Sequence, residues 1–375
     1  MKKLFTKLFL SFILSLTSNL CRAQPFISVD VTTGHILEHH QAFERWYPAS
    51  LTKLMTAYVI FHAMRAGEIS LNKHITISKN AAKAPAHRSG YKAGSVLTLH
   101  TALSITLVNS TNDLAIAMSE AVASSQEAFV QKMNTEAKRL GMIGTHFANA
   151  SGLPDPQNYS TARDIALLAV QIRREFPQYA HYFSIPAIDF GNKRKIKPNS
   201  NNLIGRFNGI DGMKTGFICA SGFNLVASAT RHKRTIIAVI LGANNISERE
   251  EKAAQLLEAG FLHQGTPQLT LATLKPYGTK MTQANDMKQQ MCTPEAIKMH
   301  ANSYDDQGNI IFTSPFITDP PSSILPLQVR LISKPQTNES TPQYKVKVKT
   351  KPLKTSYSVS KQEKSSIIKS ANDGR

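Results

Sequence analysis

The sequence predicts an α+β fold: an antiparallel β-sheet flanked by helices, with a mainly helical subdomain set into it. Three observations carry this. Alternating runs near both ends of residues 24–265 have the period of half-buried strands, and apolar segments from Leu99 to Leu140 have the period of helices. After the N-terminal segment only Cys219 and Cys292 remain, too few for a disulfide framework, so a packed core has to carry the stability.

The first element is a leader. Lys2, Lys3 and Lys7 precede an apolar run from Leu8 to Leu16, then small residues up to Ala23. That order reads as a secretory signal peptide over residues 1–23, too short to span a membrane. A lipid anchor on Cys21 is disfavoured by Leu20, because such sites want a small preceding side chain. Removing the leader takes away Lys2, Lys3, Lys7 and Arg22, and the formal charge falls from +19 to +15. An exported basic protein meets anionic polymers and membrane surfaces, with nucleic acid not expected as a partner.

Phe26 to Val31 and Ile36 to Glu38, separated by Thr32-Thr33-Gly34-His35, read as a β-hairpin. Pro48-Ala49-Ser50-Leu51-Thr52-Lys53 then opens a helix with apolar residues at Leu51, Leu54, Met55, Tyr58 and Val59, closed by Gly67. Residues three apart lie over one another on a helix, so the Lys53 amine reaches the Ser50 hydroxyl. Serine becomes a nucleophile when a base takes its proton, and a lysine is such a base only when burial or a second cation keeps it neutral. The bland alternative is a capping serine and a surface lysine. Ser-x-x-Lys also starts at Ser70, Ser358 and Ser366, so this spacing decides nothing alone.

Ile75-Thr76-Ile77 and Ser95-Val96-Leu97 are short strand-like pieces, followed by helical stretches over Leu99–Val108, Asp113–Val122 and Ala128–Leu140. Ser110-Thr111-Asn112 falls between two of those helices, where its side chains either line a cleft or cap the next helix. Residues 145–154 read as a loop, Ser160-Thr161-Ala162-Arg163-Asp164 starts another helix, and 191–208, rich in Asn, Lys and Gly, reads as a surface excursion. Asp211–Phe217, Phe223–Ala229 and Thr235–Gly242 read as three successive antiparallel strands, and Glu248–Leu262 as a closing helix. Lys214-Thr215-Gly216 lies on the first of these strands. A lysine, a hydroxyl and a residue without a side chain suit the capture of a peptide carboxylate at a strand edge.

Ser50-x-x-Lys53, Ser110-x-Asn112 and Lys214-Thr215-Gly216, on helix, interhelical loop and strand, together resemble the active-site set of the penicillin-recognising serine enzymes. Pro48–Gly67, Asn134–Asp164 and Asp211–Leu241 further resemble the low-molecular-mass D-alanyl-D-alanine carboxypeptidases, peptidase family S11, over roughly residues 24–265. The resemblance implies a β-lactamase/transpeptidase-like fold and a set of roles. Ser50 attacks the carbonyl between two terminal D-alanines, Lys53 takes its proton, and Ser110 relays a proton to the leaving group. Asn112 holds the stem-peptide amide; Lys214, Thr215 and Arg249 bind the terminal carboxylate; Gly216 lets the strand approach. The backbone N–H groups of Ser50 and Phe217 form the oxyanion hole.

The implied substrates are peptidoglycan stem peptides, with β-lactam antibiotics as covalent inhibitors and no cofactor or metal. The twelve His show no ligand spacing, which disfavours a metallopeptidase. A D,D-endopeptidase and a silent wall-peptide-binding protein remain open, whereas a β-lactamase lacks a convincing Glu-bearing loop. The chain departs from some family members at Asn199-Ser200-Asn201, where they carry an arginine, and at Phe217, where they carry a histidine. After Gly265 only weak strand-like runs appear, Ile310–Phe312 and Leu327–Ile332, so residues 266–329 are left as a small or irregular region. Residues 330–375 hold eleven Lys or Arg against three Asp or Glu; such a tail is expected to be disordered and to meet an anionic wall or membrane surface.

Overall fold

The computed structural model describes residues 24–332, apart from 192–193, 266–267 and 302. The leader and the tail beyond Ile332 lie outside the described residues. The chain opens with β1 (Phe26–Asp30) and β2 (Ile36–His40), followed by a 3-10 turn at Ala49–Leu51 that runs into α1 (Thr52–Arg65). Next come β3 (His74–Thr76), β4 (Val96–Thr98), α2 (Leu99–Asn109), α3 (Asn112–Ala123), α4 (Gln126–Arg139) and α5 (Ala162–Glu175). The remainder is β5 (Ala187–Asp189), β6 (Lys197–Pro198), β7 (Ile210–Ile218), β8 (Gly222–Arg231), β9 (Arg234–Ala243), α6 (Ile246–Leu262), α7 (Lys288–Met291), α8 (Pro294–Ala301) and β10 (Leu327–Gln328).

The main sheet has the order β2-β1-β9-β8-β7, antiparallel throughout. The first hairpin therefore closes against the last strand, and β7 is left as an edge. The second α-helical layer begins with α1, whose Leu54, Met55, Thr56, Ala57, Tyr58, Ile60 and Phe61 are all buried. The sequence pattern implies one apolar face; in the structure nearly every face is covered, because α1 is the helix the others pack around. Side-chain caps set the starts of α5 and α6: Thr161 Oγ1 accepts from Asp164 N–H at 3.1 Å and Asn245 Oδ1 from Glu248 N–H at 2.8 Å. No described helix is long and apolar enough to cross a membrane.

One expectation needs correction. The stretch 191–208 is a surface excursion only at its start, since Asn199, Asn201, Leu203 and Phe207 are buried. Its asparagines serve as substitutes for backbone. Asn199 Nδ2 donates to Ile185 O at 2.9 Å, Asn201 Nδ2 donates to Gly212 O at 2.9 Å, and Asn201 Oδ1 accepts from Leu203 N–H at 3.1 Å. Composition reads such a segment as solvated, but each amide satisfies a buried turn.

Cys219 and Cys292 form a disulfide, a single link and not a framework. It ties the end of β7 to the segment after α6, and that segment is a strap laid along the body. The strap passes Arg45 (Asn285 N–H to Arg45 O, 3.0 Å), Ala220 (Met287 N–H to its carbonyl, 3.0 Å) and Ser247 (Oγ to Ile311 O, 2.5 Å). It then meets Arg206 through Thr318 N–H at 2.9 Å and ends with β10 parallel to β5. Of the weak strand-like runs, Leu327–Ile332 supplies only the two residues of β10, and Ile310 makes an isolated bridge to Tyr304.

Candidate active site

Ser50 sits in the 3-10 turn, and three neighbours hold that turn in place. Asn224 on β8 donates from Nδ2 to Tyr47 O at 3.0 Å and to Pro48 O at 3.3 Å, while its Oδ1 accepts from Gly242 N–H at 2.9 Å. Gly152 and Gly216 let backbone come close from two other directions. A Cβ on Gly152 would lie 1.9 Å from Ala49 O; one on Gly216 would lie 2.9 Å from Pro48 O and 3.1 Å from Ser50 N. The Gly216 site that the sequence assigns to substrate approach thus also admits the nucleophile's own turn. It places the Ser50 N–H beside the β7 backbone that continues into Phe217, on the edge strand of the sheet, where the two oxyanion donors are expected.

Lys53, the second residue of α1, is fully buried. Its Nζ donates to Ser50 Oγ at 3.0 Å, to Asn112 Oδ1 at 2.7 Å and to Ser151 O at 2.5 Å. Burial pushes its pKa well below the usual lysine value, and the Lys214 charge pushes it the same way against the opposing pull of Asp113. Lys214 is also buried, and burial first, Arg249 second, bring its pKa down to about 7. The Lys214 charge thus disfavours a charge on Lys53. That is the condition for an amine to accept a serine proton near neutrality.

The remaining predicted residues gather around this pair. Asn112, the first residue of α3, also donates from Nδ2 to Ala86 O at 2.8 Å. Ser110 caps the C-terminus of α2 in a left-handed conformation, φ 60°, and is buried. Among the described residues, its hydroxyl is bonded to neither lysine. Lys214 Nζ donates to Thr215 O at 2.8 Å, and Thr215 Oγ1 donates to Ser200 Oγ at 2.7 Å. Arg249, in the first turn of α6, pairs with Glu250 at 2.7 Å, lies over the Phe223 ring at 5.8 Å and keeps a buried Nε without a partner. Phe217 packs on Phe223 with ring centroids 4.4 Å apart.

Sequence reasoning missed Ser151, Gly152, Ser200, Asn224 and His87. The Ser151 carbonyl fixes Lys53, yet a carbonyl leaves no trace in residue type. Gly152 after Asn149-Ala150-Ser151 did carry a signal, a glycine in a loop, and so did Asn224, a buried amide inside an apolar strand. His87, at φ 47° and exposed, accepts from Asn112 N–H at 2.7 Å through its carbonyl.

The family model for the D-alanyl-D-alanine carboxypeptidases, peptidase S11, matches residues 15–245. The chain belongs to this family. As an S11 chain it is 36% identical over 268 residues to D-alanyl-D-alanine carboxypeptidase DacC of Escherichia coli, covering 70% of itself and 66% of DacC. It therefore spans just under two thirds of that relative. It is 28% identical to DacF of Bacillus subtilis over 290 residues, covering 77% of itself and 75% of DacF. Among solved structures it resembles penicillin binding protein 5 of Haemophilus influenzae, with TM-score 0.61 and 33% identity over 64% of this chain and 71% of that one. The strap after α6 lies beyond the residues matched by the family model.

Proposed function

We propose that the protein is a serine D-alanyl-D-alanine carboxypeptidase that removes the terminal D-alanine from peptidoglycan stem pentapeptides. The observation that carries this is the buried Lys53 Nζ, 3.0 Å from Ser50 Oγ, whose pKa burial and the Lys214 charge hold well below the usual lysine value. Ser50 Oγ attacks the carbonyl between the two D-alanines as Lys53 accepts its proton. The oxyanion rests on the Ser50 and Phe217 N–H groups, worth on the order of 3 kcal/mol per donor. Collapse of the tetrahedral intermediate breaks the C–N bond, and the departing D-alanine nitrogen takes a proton passed through Ser110. Water then attacks the ester and restores Ser50. Asn112 orients the stem amide, while Lys214, Thr215 and Arg249 hold the terminal carboxylate.

A relative from Listeria monocytogenes, penicillin-binding protein D2, has been solved in an ampicillin-bound form. We extend covalent β-lactam inhibition to Ser50. Intact mass after incubation with benzylpenicillin tests this: an adduct on the wild type and none on Ser50→Ala supports the reading, and no adduct on folded wild type refutes it. D-alanine release from a pentapeptide, set against cleavage of a crosslinked dimer, separates carboxypeptidase from endopeptidase. The leader places this chemistry outside the cytoplasmic membrane, and the basic tail supplies an anionic-surface contact. Unchanged wall sedimentation after deletion of residues 330–375 would sink the tail's part.

A further inference from the structure

The cleft opens onto an unbalanced surface. From Ile69 to Asn112 the sequence has no Asp or Glu, but it has five Lys or Arg, among them the exposed Arg88 and Lys92. The loop before β6 adds Arg194, Lys195 and Lys197. These two segments are one surface, because Arg194 Nη2 donates to Ser89 O at 2.5 Å and lies over the rings of Phe190 at 4.3 Å and Tyr91 at 5.3 Å. The end of the strap joins them: Val329 N–H bonds Asp189 O, Ile332 N–H bonds Val96 O, and exposed Arg330 lies between.

The acids bonded to these segments are engaged, among them Glu120, which accepts from Asn80 Nδ2 at 2.9 Å. Asp113 is buried and takes Ser89 N–H and Oγ at 2.7–3.0 Å, and Asp189 Oδ1 accepts from Gly191 N–H at 2.8 Å. Among the described residues, none of Arg88, Lys92, Arg194, Lys195, Lys197 and Arg330 is in an ion pair. Unpaired cations packed along a concave mouth raise the local concentration of anions and steer them inward.

This surface is also continuous with the site. His87, two residues from Ser89, bonds Asn112 through its backbone, and Ser200, three residues past Lys197, bonds Thr215. The rim segments are thus joined by hydrogen bonds to residues of the site. Resting on the carboxypeptidase reading, we infer that the rim formed by Arg88, Lys92, Arg194, Lys195, Lys197 and Arg330 binds free carboxylates of the stem peptide upstream of the scissile bond. The substrate class is thus an acidic peptide, selected by carboxylates beyond the terminal one.

The test compares two pentapeptides that differ only upstream of the two D-alanines, one with free carboxylates and one with those groups amidated. D-alanine release is followed from low salt to roughly 0.5 M, where the Debye length falls to about 4–5 Å. The expected result is a kcat/KM preference for the acidic peptide of about tenfold at low salt that collapses at high salt. In Lys92→Glu/Lys195→Glu the preference should vanish or invert, with the amidated peptide as internal control in the same variant. Equal kcat/KM for both peptides at all salts overturns the inference while leaving the carboxypeptidase reading intact. Failure on both peptides with no benzylpenicillin adduct would fell that reading instead. A variant that loses binding to anionic phospholipid vesicles but keeps its peptide preference would assign the rim to a membrane, and this too overturns it.

Discussion

Lys53 and Lys195 are the same residue in opposite surroundings. Lys53 is sealed between α1, Asn112 and the Ser151 carbonyl, where burial pushes its pKa well below the usual lysine value; Lys195 is exposed on the cleft's rim. The comparison teaches that one side chain serves as a base or as a field source according to its access to water. Only the first use depends on position to a fraction of an ångström.

The sharpest way to break the contrast is at Lys53. Lys53→Ala should slow benzylpenicillin acylation by about a thousandfold, the range of a lost general base. Lys53→Arg should be equally poor, because a guanidinium does not give up its proton. Stopped-flow acylation rates measure both; near-normal acylation by the arginine variant would remove Lys53 as the base.

Next comes the packing that positions the pair. Gly216→Val puts side-chain atoms where Pro48 O would be 2.9 Å from the new Cβ, so the Ser50 turn has to move. A displacement of that size should cost about a hundredfold in kcat/KM. An unchanged rate, with folding verified by circular dichroism, would show that the turn is placed by Asn224 and Gly152 alone.

A smaller effect follows from Lys214, whose folded pKa is lowered from 10.5 to about 7 by burial and then Arg249. Folding therefore favours its neutral form. Between pH 10.5 and about 7 the unfolded chain binds the extra proton, so this group's contribution becomes less favourable as pH falls, and it levels off below about 7. Relative to Lys214→Met, the wild type should lose on the order of a few kcal/mol of stability across that window, read as the difference between urea midpoints. A difference that stays constant with pH would mean Lys214 is charged when folded.

The smallest expected change belongs to the rim. Lys195→Ala should alter stability by less than about 0.5 kcal/mol, as for an exposed side chain without a partner. A larger thermal shift would mean that Lys195 is part of the fold.

How much of this was legible follows from what each element leaves in the residue string. The hairpin, the three strands β7 to β9 and the closing helix were readable, because period and turn residues record them directly. So were Ser50, Lys53, Ser110, Asn112 and Lys214, whose order along the chain carries information that each spacing lacks. Illegible were contacts made through backbone, such as Ser151 O to Lys53, and polar residues that serve buried turns, such as Asn199 and Asn201. The strap was unreadable for a related reason: it has little repeating structure and is held by single bonds to distant residues, among them the Cys219–Cys292 link across 73 positions.

The edge position of β7 has a further consequence. An unpaired strand edge invites a strand from any neighbour, a second copy of the chain included, and is a common origin of aggregation. Here the approach to that edge passes between the Ser50 turn and a cationic rim. A second copy would bring an identical positive rim, and like charges oppose such pairing. On the rim inference, the lysines and arginines at the mouth would thus also act as gatekeepers against self-association at the β7 edge.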